Sequence, residues 1–256
     1  YDWFDDASLG IVDYAPYLTS EGDITSPVPP INLIKTTSDI DNTPTFTWDA
    51  VNGAGSYGVK VDSESYIDIG AVNSHTWATI LSDGIHTFYV RTKNSIGNTG
   101  QPNSVSFSID TTSPTVTIAS IAHHVNTIVS ISGTASDVVE LGKVQVQIKK
   151  GLNSTYWNGS SWQASEVWVD AIGTTSWSYT MPTLEDENYT VKSRAIDSAG
   201  NISAEATDSY IYDITEPTAS IDDINEYIYE LTQISGTASD SMPGQLDKVQ
   251  VQILNN

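Results

Sequence analysis

The sequence predicts an all-β protein made of tandem β-sandwiches, and three observations support this. Short runs rich in β-branched and aromatic residues are separated by Gly, Asn, Asp and Pro, which is the pattern of strands and turns. No amphipathic stretch long enough for a stable helix interrupts them. Short motifs also return about one domain length later, which indicates repeated independent domains rather than a solenoid.

The repeat sets the domain organisation. Two motif pairs are 103 positions apart and a third pair is 105 apart: Ile131-Ser-Gly-Thr-Ala-Ser-Asp137 with Ile234-Ser-Gly-Thr-Ala-Ser-Asp240, Asp110-Thr-Thr-Ser-Pro114 with Asp213-Ile-Thr-Glu-Pro217, and Lys143-Val-Gln-Val-Gln-Ile148 with Lys248-Val-Gln-Val-Gln-Ile253. Prolines mark the linkers between copies. We therefore expect a terminal remnant at 1–25, a first domain at 26–109, a second at 110–212, and the start of a third at 213–256.

Each complete copy carries the strand pattern of one sandwich. The predicted strands lie near 31–35, 44–48, 56–62, 74–79, 85–93 and 103–109 in the first domain, and near 114–120, 127–135, 143–149, 154–157, 175–180, 188–196 and 207–212 in the second. Seven short strands in about 100 residues are typical of an immunoglobulin-like sandwich. Trp48 is the expected core tryptophan of the first domain. In 143–149 the Val and Ile side chains should face the core, while Gln145 and Gln147 should face solvent.

Composition excludes several classes of function. The formal net charge is -22, from 32 acidic and 10 basic residues, which disfavours nucleic acid and anionic membrane surfaces as partners. There is no cysteine, so disulfides and thiolate chemistry are absent. No apolar run is long enough to span a bilayer. The chain begins at Tyr1 without Met and stops within a third copy, and we expect it to be a piece of a longer protein.

Three segments carry a resemblance to a known family. Asp110-Thr-Thr-Ser-Pro114, Ser132-Gly-Thr-Ala-Ser-Asp137 and Tyr189-Thr-Val-Lys-Ser-Arg-Ala-Ile-Asp197-Ser-Ala-Gly-Asn201 resemble the bacterial immunoglobulin-like repeats of large surface adhesins. The resemblance covers about 110–256 and implies an extracellular or cell-surface location. We expect no enzymatic activity, because a small filled sandwich offers no cleft for paired catalytic carboxylates. The first domain also resembles a fibronectin type III module, through Thr45-Phe-Thr-Trp48 and Tyr57-Gly-Val-Lys-Val61. Asp2-Trp-Phe-Asp5 and Val12-Asp-Tyr-Ala-Pro-Tyr-Leu18 resemble the end of a right-handed parallel β-helix domain.

Sandwich topology predicts where the acidic residues meet. The entry linker, the loop after the second strand and the loop before the last strand share one pole, which carries Asp110, Asp137, Asp197 and Asn201 in the second domain. Asp83, from the opposite pole of the preceding domain, should join them. The next junction repeats the arrangement with Asp186, Asp213 and Asp240.

These oxygen ligands allow two interpretations. Carboxylates and amides suit Ca²⁺, which takes about six to eight oxygen ligands, and the resemblance implies Ca²⁺ at such junctions. Asp and Asn are equally common as turn residues, because their side chains bond the local backbone. Asn94 stands where the second domain has Asp197, so the entry junction of the first domain is a weaker candidate.

Other functional motifs are weaker. The four histidines (His75, His86, His123 and His124) lack metal-ligand spacing, and no Gly-x-Ser-x-Gly elbow occurs. Tyr156 to Trp162 predicts a hairpin around Asn158-Gly159, whose aromatic rings either bind sugars or cover the sandwich.

Three functions remain open. The first is a stalk or adhesin spacer whose partners are the neighbouring domains. The second is a surface-layer or filament subunit completed by copies of itself. The third is a carbohydrate-binding accessory module of a polysaccharide-active enzyme, with surface polysaccharide as its partner.

Overall fold

The computed structural model describes residues 26–151, 154–224, 230 and 232–254. These residues form strands and no helix, so the predicted all-β class is confirmed. The chain forms two compact units that divide between Thr111 and Thr112. The resemblance to a β-helix domain concerns residues 1–25, which lie outside the described residues. In the described part of the chain, no helix has the length and apolarity needed to cross a membrane.

The first unit is a sandwich of two antiparallel sheets. Its strands are β1 (Ile34–Lys35), β2 (Thr45–Thr47), β3 (Ser56–Val61), β4 (Ile67–Asp68), β5 (Ser74–Thr76), β6 (Gly84–Lys93) and β7 (Asn103–Ile109). One sheet has the order β1-β2-β5 and the other β4-β3-β6-β7. All six predicted strands are present. Strand β4 was not predicted, because two residues carry no detectable alternation.

The core between these sheets is largely aromatic. Phe46 of one sheet stacks on Phe88 of the other, with ring centroids 3.9 Å apart. Trp48 is only 3% exposed, which confirms it as a core tryptophan, and Trp77 is buried as well. Because each such side chain contributes about 1.5–3 kcal/mol when buried, this aromatic cluster holds the two sheets together.

The second unit consists of a larger sandwich and, after it in the chain, the third repeat. Its strands are β8 (Thr115–Val116), β9 (His124–Val125), β10 (Ser130–Ser136), β11 (Leu141–Lys150), β12 (Thr155–Trp157), β13 (Trp162–Gln163), β14 (Val169–Asp170), β15 (Ser176–Thr180), β16 (Glu187–Asp197), β17 (Ala206–Tyr212), β18 (Thr218–Ile221) and β19 (Gly236–Ser239). The two main sheets have the orders β15-β10-β8 and β13-β12-β11-β16-β17-β9, and β14 also pairs with β11. Strands β12 and β13 form the predicted hairpin.

Both faces of β11 are covered, which corrects one expectation. Its Val and Ile side chains are fully buried, but Gln145 and Gln147 are also only 9% and 4% exposed. The expectation that these glutamines face solvent is therefore wrong. Gln145 donates to Asp170 of β14 at 2.7 Å and accepts two hydrogen bonds from Arg194 of β16. The outer face is thus buried through polar contacts, which an alternating sequence does not reveal.

The third repeat has only one strand pair in the described residues. Strands β18 and β19 pair with each other alone. The segment equivalent to β11 is not a strand here, and its apolar side chains Val249, Val251 and Ile253 are 62%, 59% and 76% exposed. The apolar side chains of this motif are thus fully buried in the second repeat and exposed in the third.

Candidate cation sites at the linkers

Each of the two sandwiches uses one aspartate to hold the segment that follows its final strand, which is β7 in the first unit and β17 in the second. Asp83 Oδ1 accepts hydrogen bonds from the amide and the hydroxyl of Thr111, both at 2.9 Å. Asp186, 103 positions later, accepts from the amide of Ile214 at 2.8 Å and from the hydroxyl of Thr215. These bonds, from the Thr215 hydroxyl first and then the Ile214 amide, hold the pKa of Asp186 below its usual value. The sequence correctly placed both aspartates beside the linker, but their oxygens already bind protein donors.

Asp137 and Asp197 come together in the second unit. They follow β10 and end β16 respectively, and a carboxylate oxygen of each lies within 4.8 Å of the other. Asp197 is engaged by its own turn. Its Oδ1 accepts the amides of Gly200 at 2.6 Å and Asn201 at 2.8 Å, and its Oδ2 accepts the Asn201 side-chain amide at 2.8 Å. Asp197 and Asn201 therefore show the turn chemistry weighed as the alternative to calcium.

Asp137 has one oxygen that its loop does not use. Its Oδ2 accepts the amides of Val139 at 2.8 Å and Glu140 at 3.1 Å. Its Oδ1 is buried and has no hydrogen-bond partner in the described part of the chain. A buried, unpaired carboxylate oxygen is costly unless another group compensates it. A cation bound to this oxygen would compensate the cost.

The third repeat shows the same feature at Asp240, 103 positions after Asp137. Asp240 Oδ1 is likewise buried and without a partner among the described residues. A Cβ atom added at Gly244 would lie 2.6 Å from Asp240 Oδ2 and 2.7 Å from Asp213 Oδ2, so both carboxylates border one point. Asp213 Oδ1 accepts the Thr215 amide at 3.1 Å. Two carboxylates with incompletely used oxygens thus converge beside a glycine that leaves room for them.

Asp110 is the repeat equivalent of Asp213 and directly follows β7. It is only 3% exposed, and its amide donates to the Asp39 carbonyl at 2.9 Å. Unlike most surface aspartates, it is therefore held in a buried position at the end of the first unit.

The corner that leads into β6 in the first unit differs from the corner that leads into β16 in the second. Tyr189 of β16 donates its hydroxyl to the Glu185 carbonyl at 3.1 Å, the arrangement called a tyrosine corner. His86 of β6 stands 103 positions earlier and makes the equivalent contact, from Nε2 to the Ser82 carbonyl at 2.8 Å. Its Nδ1 contacts Asp62 at 2.8 Å. Burial disfavours the charged ring, but these two acceptors outweigh it and raise the pKa of His86.

The remaining histidines pack against aromatic rings. His75 lies 6.0 Å from the Trp77 ring, and the rings of His123 and His124 meet edge to face at 4.8 Å. No histidine belongs to a group of three or more potential metal ligands within the described residues.

Sequence reasoning missed an arginine–aromatic contact on the outer face of the larger sheet in each unit. The Arg91 guanidinium lies 3.8 Å from the centroid of Tyr66, and that of Arg194 lies 4.3 Å from Trp168. Such a contact contributes about 0.5–1 kcal/mol at an exposed site. The common order aromatic–aliphatic–Asp, in Tyr66-Ile-Asp68 and Trp168-Val-Asp170, is the signal that would have found it.

The same register shows where the second unit has gained residues. Gly58 pairs with Arg91 and Asp68, just as Gln145 pairs with Arg194 and Asp170. Gln145 lies 87 positions after Gly58, whereas Asp170 lies 102 positions after Asp68, so the second unit has 15 additional residues between these strands. The addition contains the β12–β13 hairpin.

The aromatic residues of this hairpin pack against other side chains of the sandwich. Trp157 donates its indole N–H to the Tyr179 hydroxyl at 2.9 Å, and its ring lies 5.6 Å from Trp162. Trp162 in turn packs against Tyr189 at 5.9 Å. Trp177, on the smaller sheet, is fully buried. These contacts match the structural alternative for the tryptophans rather than an exposed sugar platform.

Comparison with known proteins gives similar folds and no family. No family model and no curated protein matches the chain. Fibronectin(III)-like modules of Clostridium thermocellum CbhA are 12% identical over 75% of this chain and 92% of that one, with a TM-score of 0.41. A two-domain fibronectin type III segment of chicken tenascin is 12% identical over 71% and 98%, with a TM-score of 0.34.

A tetra-tandem repeat from the extending region of a large adhesion protein is 22% identical over 75% of this chain and 52% of that one, with a TM-score of 0.33. The tandem immunoglobulin-like and fibronectin type III-like architecture is shown by the paired sheets and separate cores of the two units.

Proposed function

We propose that this chain is a non-enzymatic structural segment of an extracellular or cell-surface protein, a stalk or adhesin spacer whose linkers bind Ca²⁺. The observation that carries the proposal is the pair of buried, unpaired oxygens on Asp137 and Asp240, at equivalent positions of two repeats. A buried carboxylate oxygen without a hydrogen-bond partner lowers the stability of the protein when no ion is bound. Its recurrence 103 residues later supports a bound cation as the compensating group.

The donor set fits a hard divalent cation. Asp240 and Asp213 border one point and offer carboxylate oxygens only, which calcium prefers and which leave its loose coordination to be completed by carbonyls or water. The repeat assigns the role of a ligand to Asp137 and to Asp110, which are the equivalents of Asp240 and Asp213 in sequence. When bound, the ion would neutralise carboxylates that otherwise repel one another in a chain of net charge -22.

The other predicted ligands take a supporting part in this proposal. Asp83 and Asp186 fix the backbone that follows the last strand, and Asp197 with Asn201 fixes a turn. Their carboxylate oxygens already accept hydrogen bonds, so they order the loops around an ion without having to bind it. The proposed ligands are therefore Asp110, Asp137, Asp213 and Asp240.

Thermal unfolding of the full chain in calcium and in excess chelator tests the proposal. A ligand that binds only the folded state stabilises it by about 2.7 kcal/mol at a hundredfold excess over its dissociation constant. Asp137→Asn and Asp240→Asn should each reduce the calcium-dependent shift. Glu64→Gln removes an exposed charge far from both carboxylates in sequence and should leave the shift unchanged. Identical unfolding curves with calcium and with chelator would refute calcium binding.

One observation favours the assembly alternative as a second candidate. The apolar row of Val249, Val251 and Ile253 is exposed, and β18 and β19 have no other strand beside them in the described residues. Unpaired strands with an apolar face favour pairing with further strands. Sedimentation of the full chain distinguishes the two functions, because a subunit completed by its neighbours forms a defined oligomer, whereas a spacer remains monomeric.

A further inference from the structure

The sequence contains two Asn-Gly pairs, and the structure places them in opposite environments. They are Asn52-Gly53 in the loop between β2 and β3, and Asn158-Gly159 in the β12–β13 hairpin. An asparagine before glycine is open to attack by the glycine amide nitrogen on its own side-chain carbonyl, since glycine adds no steric hindrance and leaves the backbone mobile. Whether the attack occurs in a folded protein depends on how firmly the asparagine side chain is held.

Asn158 is held at both ends of its amide. Its Oδ1 accepts the amides of Ser160 at 3.0 Å and Ser161 at 2.9 Å. Its Nδ2 donates to Gln163 Oε1 at 3.0 Å and to the Ser161 hydroxyl at 3.2 Å. To reach the geometry for attack, this side chain must break several hydrogen bonds.

Asn52 has none of these restraints. It is exposed, and its side chain makes no hydrogen bond in the described part of the chain. Gly53 has a φ of 79°, and a Cβ placed there would meet no atom within 4 Å. The turn itself is closed by the hydrogen bond from the Ala54 amide to the Val51 carbonyl at 3.1 Å, and its ends are held by the Val51 and Gly55 amides, which donate to the Tyr57 hydroxyl and the Lys93 carbonyl. The Asn52 side chain therefore has no hydrogen bond to another described residue to break before it can rotate towards the Gly53 amide.

We propose that Asn52 is a site of spontaneous deamidation in the folded protein. The Gly53 amide nitrogen loses its proton to water and bonds to Cγ of Asn52. The bond from Cγ to Nδ2 then breaks, and the Nδ2 amine takes a proton from water and leaves as ammonia. The resulting succinimide adds one water molecule and opens to aspartate or isoaspartate. Water is the only co-reactant, and no group is oxidised or reduced.

The modification changes the loop that it occurs in. It adds a negative charge in the loop that already carries Asp49, in a chain that is strongly acidic. The isoaspartate product adds one atom to the backbone between Val51 and Ala54, which the turn hydrogen bond spans. The proposal does not depend on calcium binding, since Asn52 lies outside the proposed cation sites.

Incubation of the full chain at mildly alkaline pH, followed by proteolysis and mass spectrometry, tests the proposal. We expect Asn52 to convert on the order of tenfold to a hundredfold faster than Asn158 in the folded chain, the ratio expected when the Asn158 side chain must first break at least two of its hydrogen bonds. In denaturant the two rates should become similar, because the hydrogen bonds of Asn158 are lost.

Asn52→Gln serves as a control and should remove the fast-forming product while the conversion at Asn158 stays slow. Equal rates in the folded chain, or faster conversion at Asn158, would overturn the proposal. A rate difference that persists in denaturant would also overturn it, because local sequence rather than structure would then set the rates.

Discussion

Replacing Tyr189 by Phe removes one hydroxyl and both hydrogen bonds that fix the corner before β16. The hydroxyl donates to the Glu185 carbonyl at 3.1 Å and accepts the Glu185 amide at 3.2 Å. The ring itself stays in place, since it is buried and packs against Trp162 and Tyr210. The substitution therefore tests the corner without opening a cavity.

The cost follows from the two lost hydrogen bonds. Each contributes about 0.5–1.5 kcal/mol, and water can replace part of this because Glu185 is exposed. We expect a loss of about 1–2 kcal/mol in the free energy of unfolding. Tyr189 lies in the unit Thr112–Asn256, and for a domain near that size each kcal/mol lowers the melting temperature by about 2–4 °C, so the shift is measurable by thermal unfolding.

Tyr210→Phe is the matched control in the same stack of rings. The Tyr210 hydroxyl is buried and has no partner among the described residues, and burial raises the pKa of this phenol. Its removal relieves an unsatisfied group, so stability should stay the same or rise by up to about 1 kcal/mol. A Tyr189→Phe variant that melts with the native protein, or a Tyr210→Phe variant that loses as much as Tyr189→Phe, would refute the assignment.

Three further predictions concern charge and packing. The pKa of His86 is raised in the folded state, so protonation of His86 stabilises the first unit. This stabilisation is complete below pH 6.5, the usual pKa of histidine, and is lost as the pH rises through the folded-state pKa. The melting temperature of the first unit should therefore fall over that range. Asp62→Asn should flatten this pH dependence. Arg194→Lys should lower the free energy of unfolding, measured in urea, by about 1–2 kcal/mol. Lysine cannot stack on Trp168 as a planar group or donate two hydrogen bonds to Gln145 in the way that the guanidinium does. Ile148→Ala should cost about 2–5 kcal/mol, whereas the equivalent Ile253→Ala should change stability by less than about 0.5 kcal/mol.

The fold was largely predictable because its signals are local. Alternating runs gave the long strands, and the 103-residue repeat carried the assignment from one copy to the next. The two-residue strands β4 and β14 were not predicted, because they are defined by pairing with β3 and β11 and not by an alternating pattern of their own. The burial of Gln145 escaped for a related reason, since its partners Asp170 and Arg194 come from distant parts of the chain.

The acidic residues were predictable in position but not in role. Topology alone placed Asp83 and Asp186 beside the linkers and Asp137 near Asp197. Sequence does not show which oxygens already accept a hydrogen bond, because backbone amides are present at every position. Only the geometry separates Asp137, with an unused buried oxygen, from Asp197, whose turn uses both oxygens.

The aspartates that hold the linkers also affect how such a chain can be divided or duplicated. Asp83 accepts a hydrogen bond from Thr111, and Asp186 accepts one from Ile214. A segment that keeps these contacts must therefore extend at least two residues past the final strand of each sandwich. A cut directly after Ile109 would leave Asp83 without its donors, whereas a cut after Thr111 would keep them. A duplication of 103 residues copies the aspartate together with the residue that donates a hydrogen bond to it. Repeats joined in this way therefore need no matching changes in their new neighbours to keep this contact, which suits lengthening by gene duplication.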